Sequence, residues 1–101
     1  MSTSEADVRA RLEADAGEVF GSDLKAHLDR DVVVVVAPGA SLLDCAMAVA
    51  TDDAAAVSAW LADGTLRRPS DEERDAWRAD ATRRWLAVVV RPFVLAQELH
   101  D

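Results

Sequence analysis

The chain has no tyrosine, one cysteine, two histidines, three prolines and four glycines in its 101 residues. A lone cysteine, Cys45, cannot close an internal disulfide, which excludes a stapled secreted scaffold. No apolar run approaches the roughly 18 residues of a membrane span. The N-terminal MSTSEADVRA lacks the basic flank and apolar stretch of a signal peptide, so the cytosol is the expected compartment. Neither a DxDxDG loop nor an HExxH spacing occurs, and no metal motif is therefore written into the chain.

A cationic surplus is missing too. The net charge is −8, with 12 acids against 4 bases over residues 1–66 and 7 arginines against 5 acids over 67–91. Nucleic acid and anionic membrane both need a cationic face to release counterions, so neither is an expected partner. Only Arg67, Arg68, Arg83 and Arg84 make a small basic patch, and their positions at strand and helix ends fit a solvated rim.

What is present is half hydrophobic and 30% charged, the composition of an ordinary globular domain, and the length fits one domain over 1–101. Val8, Leu12, Ala16, Val19 and Phe20 recur every three or four residues and predict an amphipathic helix from Ser4 to Phe20. Ser22 caps a short second helix in SDLKAHLDR. The run DVVVVVA (31–37) is β-branched and without polar positions, which predicts a strand covered on both faces. Ser41 and Asp44 fit a capping box opening a third helix over about 42–50. Thr51, Asp52 and Asp53 cap a fourth, ended by Gly64, and these two helices form a hairpin. Ser70 with Glu73 caps a fifth helix to about Thr82. From Trp85 to Val90 the chain is again apolar on both faces. Pro92 demands an edge, a bulge or a break, and a kinked strand paired with the valine strand is expected. The fold class is α+β: a two- to three-stranded mixed sheet (strands near 31–37, 65–68 and 84–98) packed with about five helices.

Three places invite a chemical reading. The VVVVVAPGAS stretch joins a strand, a turn and a helix start, as anion sites do. It has one glycine and no lysine, Pro38 removes a donor, and Asp44 would repel a phosphate, so a structural turn is preferred. Cys45 with His27 or His100 as base would need a thiolate, which an apolar helix and the adjacent Asp44 both disfavour. Asp44, Asp52, Asp53 and Glu98 could converge on a divalent cation only through tertiary packing, and the first three already serve as helix caps. Trp60, Trp77 and Trp85 sit at inward positions and read as core.

The pieces SLLDCAMAVATDD, VSAWLADGTLRR, DAWRAD and AVVVRPFVLAQE resemble a family of short bacterial proteins, domain of unknown function 2288. In that resemblance Asp44 stands where the family has Glu, and Asp52 matches an acidic cap. Trp60 and Gly64 match a turn, Trp77 a second Trp, and Pro92, Gln97 and Glu98 the closing segment. Ser41 replaces an expected Asp, and Phe93 an expected Trp. The resemblance implies a bacterial cytosolic protein and brings no activity with it.

The functional expectation is a non-enzymatic interaction module, self-associating as a homodimer or docking on a protein partner, without cofactor or catalytic residues. The alternative is a small-ligand or divalent-metal protein, enzyme included, built on Asp44, Asp52 and Glu98. Candidate binding residues are Asp44, Asp52, Arg91, Gln97 and Glu98. Gln97 and Glu98 enter because a polar pair ending a buried strand must reach solvent or find partners.

Overall fold

The computed structural model describes residues 4–99; His100 lies outside them. Among the described residues the chain forms five α-helices and one five-stranded mixed sheet of order β1-β4-β5-β2-β3. The helices are α1 (Glu5–Asp15), α2 (Lys25–Asp29), α3 (Leu42–Ala50), α4 (Ala54–Asp63) and α5 (Asp71–Arg78). The strands are β1 (Gly17–Phe20), β2 (Val33–Val36), β3 (Leu66–Arg67), β4 (Arg84–Val90) and β5 (Phe93–Glu98). A 3-10 turn, Gly21–Leu24, leads into α2. The α+β class holds, and the sheet has five strands where two or three were expected.

Both extra strands have a physical cause. Residues 84–98 are not one kinked strand but the antiparallel hairpin β4–β5, turning at Arg91-Pro92. Proline has no N–H for a ladder, and a turn is where that deficit is harmless. The predicted first helix stops at Asp15, and Gly17–Phe20 pairs antiparallel with β4 instead. Val19 and Phe20 continued the helical spacing by coincidence. Val19 lies beside Trp85 in the ladder, while Phe20 opposite Arg84 remains exposed. The fifth helix likewise ends at Arg78, short of the expected Thr82.

The valine strand β2 is central. It runs parallel to β5 on one side and antiparallel to the two-residue β3 on the other. Side chains alternate across a strand, so its valines divide between two cores. Val33 and Val35 pack with Leu24, Leu28, Trp77, Trp85, Val94 and Ala96 beneath α2 and α5. Val36 joins Leu12, Leu42, Cys45, Leu66, Val88 and Leu95 beneath α1 and α3, with Val34 partly buried beside it. The chain's own helices thus cover most of both faces of β2, and Val34 stays partly open beside α4.

Three caps follow the sequence, but Ser22 is not the cap of the second helix: it lies inside the 3-10 turn, where the Phe20 N–H donates to Asp23, and α2 starts after Leu24 without a side-chain cap. Ser70 and Glu73 form the full reciprocal box at α5. At α3 half of it forms: Ser41 Oγ accepts from the Asp44 N–H, while the shorter Asp44 carboxylate turns away to Arg9 of α1. Between α3 and α4, Asp52 takes a left-handed conformation at φ 57. The Asp53 and Asp52 N–H groups donate to the carbonyls of Ala48 and Val49, a Schellman stop, and Asp53 then caps α4. Gly64 ends α4 at φ 84.

Candidate functional site

The turn after the valine strand is pinned from inside. The Ala40 N–H donates to the Ala37 carbonyl with Gly39 at φ 85, a turn that Pro38-Gly39 encodes. The Gln97 amide, at the end of β5, donates to the carbonyls of both Ala37 and Ala40. This loop presents a proline and satisfied groups rather than a nest of converging N–H donors.

The candidate carboxylates stand in three different surroundings. Asp44 pairs with Arg9 at 3.0 Å on the exposed flank of α1 and α3. Asp52 lies at the rim of a cleft beside α4. Glu98 pairs with Arg83 at 3.3 Å and lines a cavity on the other side of the sheet. Arg91 is exposed at the β4–β5 turn. Among the described residues no group of three His, Cys, Asp or Glu side chains is placed to hold a metal ion. Burial, and secondarily Asp44, push the Cys45 thiol above its usual range, so its thiolate is scarce.

The cleft beside α4 is concave and mostly apolar. It encloses about 320 Å³ and is walled by Val34, Val49, Val57, Leu66, Phe93 and Leu95, with Leu61 at its lip. It exists because α4 packs lightly: the helix contributes no buried residue, Val57 and Trp60 are only partly covered, and Leu61 is 52% exposed. Asp52 and Asp53 border it, and so does Arg68, which is engaged by Asp31. The cleft is therefore apolar inside and anionic at the α3–α4 turn. Sequence reasoning named Asp52 as a ligand-, metal- or partner-binding candidate and missed the apolar walls, which come from five separate elements.

On the opposite side the charged residues are tied together. Arg67 holds Glu73 through two hydrogen bonds of 2.7 and 3.0 Å, and chiefly for that reason the Glu73 carboxyl falls to about 2. Asp80 is likewise held at about 2, first by the Thr82 hydroxyl and then by the Thr82 and Arg83 N–H groups. The expected basic patch is thus largely neutralised: Arg67 by Glu73, Arg68 by Asp31 and Arg83 by Glu98. No helix of the described residues is long and apolar enough to cross a membrane.

Comparison with known proteins agrees with this architecture. No curated protein matches the chain. The solution NMR structure of PA1075 from Pseudomonas aeruginosa superposes with a TM-score of 0.77 at 26% identity, covering 100% of this chain and 93% of that one. The family model described as a protein of unknown function, DUF2288, matches residues 7–98, from α1 to the last residue of β5. With nearly every described element inside that match, the chain belongs to the DUF2288 family.

Proposed function

We propose that the protein is a non-enzymatic cytosolic docking module, and that the cleft beside α4 receives a bulky apolar side chain of a protein partner. The observation that carries this reading is an apolar cleft of about 320 Å³ under a helix with no buried residue. Filling it would bury Leu61, Val57 and Phe93, and each apolar side chain fully buried contributes about 1.5–3 kcal/mol. Asp52 and Asp53 at the rim, on a chain of net charge −8, favour an anchor flanked by lysine or arginine. Such a partner segment resembles helix-in-groove recognition, in which a few apolar anchors supply the affinity and rim charges set the register.

Selection from a random peptide library against the wild-type protein tests this. The expected peptides share a bulky apolar residue with basic neighbours. They shift backbone resonances of Val57, Leu61 and Phe93, and they bind Leu61→Glu at least about tenfold more weakly, because a charge would enter the apolar lip. Peptides lacking that pattern, or binding that Leu61→Glu leaves untouched, would overturn it.

A further inference from the structure

A second cavity, about 200 Å³, opens on the α5 side of the sheet, where the parallel strands β2 and β5 end at Val36 and Glu98. Crevices at the carboxyl ends of parallel strands are where α/β sheets receive ligands. Its walls include Val35, Trp77 and Trp85, and its rim carries Arg67, Glu73, Arg83 and Glu98.

Two groups at this cavity stand out. Trp85 is 2% exposed, and its Nε1–H has no acceptor among the described residues. A buried donor left unpaired costs about 1–3 kcal/mol. A phenylalanine would supply a similar aromatic face without that cost. The second is Arg83, whose closest contacts to Glu98 and Asp80 are made by Nε. Arg67, in contrast, spends both of its terminal nitrogens on Glu73. The planar fork of an arginine is the group best matched to a carboxylate.

We propose that this cavity binds a small carboxylate, which accepts hydrogen bonds from the Trp85 indole N–H and the terminal nitrogens of Arg83. The size is set by the space: at roughly 30 Å³ per water-sized group, 200 Å³ holds about six or seven non-hydrogen atoms. A simple carboxylic acid and a small amino acid both satisfy this chemistry. Glu98, on the same rim, distinguishes them, since its carboxylate faces an added ammonium favourably and a bare acid unfavourably.

The three tryptophans give three indole N–H signals in a nitrogen-resolved NMR spectrum, and the Trp85 signal is assigned by its loss in Trp85→Phe. Sodium propionate and alanine are titrated separately, with sodium chloride at matched ionic strength as control. The expected result is a saturable shift of the Trp85 indole signal by at least one of the two, with the Trp60 indole unmoved. Arg83→Gln, an exposed change that leaves the core intact, weakens that binding about tenfold, as loss of a charge-assisted hydrogen bond does. Binding of alanine but not propionate assigns the ligand as a zwitterion, and the reverse as a simple acid. If neither gives a shift beyond the chloride control, or if Arg83→Gln binds as the wild type does, the cavity holds water only and the proposal falls. This outcome is independent of the α4 cleft, whose peptide selection reads a different face.

Discussion

The side-chain amide of Gln97 reaches across from β5 and donates to two carbonyls of the loop after β2, 2.8 Å to Ala37 and 2.7 Å to Ala40. Residues 57 and 60 positions apart in sequence are joined by one side chain. Gln97→Glu replaces both donors with a carboxylate facing carbonyl oxygens. The expected loss is about 2–3 kcal/mol at neutral pH, read by urea denaturation. The introduced carboxyl has its folded pKa raised, because its protonated form can donate. The deficit relative to wild type should therefore shrink as pH falls through that value and be largest above it.

Glu73→Gln isolates the charge of the Arg67 pair, since glutamine at this position still completes the capping box. The Glu73 carboxyl sits at about 2 in the folded chain against 4.5 for the free group, so the fold is stabilised above about pH 4.5 and loses that contribution as pH falls toward 2. With the Glu73 side chain 31% exposed, the contribution is about 1 kcal/mol after screening. Denaturation midpoints of wild type and Glu73→Gln should differ at pH 7 and converge near pH 2.

Gly21 stands where α5 approaches the 3-10 turn. A Cβ there would lie 2.6 Å from the Trp77 carbonyl oxygen and 3.1 Å from that of Asp80, both backbone atoms. The close approach is fixed by the Ser22 N–H donating to Asp80 at 2.8 Å. Gly21→Ala should cost about 1–3 kcal/mol, the range of forced overpacking, and a calorimetric melting temperature will show it.

Asp31 and Asp52 share a left-handed backbone, at φ 58 and 57. Glycine relieves that conformation, but the two sites should respond differently. Asp52→Gly is expected to stabilise by about 0.5–1 kcal/mol as a better helix stop. Asp31→Gly also removes the bridge to Arg68 and Arg74 at 3.1 and 2.8 Å, and should be neutral or destabilising. Paired thermal melts decide between these outcomes.

How far the sequence reveals this molecule depends on how local each signal is. The valine run, the Ser70/Glu73 box and the Gly64 stop were legible because each is decided by neighbours within a few residues. β1 was hidden because Val19 and Phe20 happen to fall on the stripe begun by Val8 and Leu12, and only pairing with β4 shows otherwise. The candidate sites lay further out of reach. Gln97 could be recognised as a polar group needing partners, but the partners, Ala37 and Ala40, are chosen by the fold. The apolar cleft depends on how lightly α4 packs, and the orphan indole of Trp85 on what fails to surround it; neither leaves a pattern in the chain.

The parallel partner of the valine strand is β5, made of the last residues in the ladder, and among the described residues its other neighbour is the two-residue β3. During synthesis, at about 5–20 residues per second, the strand therefore waits several seconds for its main neighbour to emerge. Five consecutive valines with unpaired backbone are the kind of segment that seeks other chains. Strand β5 thus arrives late to pair with the protein's own central strand. A nascent or truncated chain that ends before Phe93 should aggregate rather than fold.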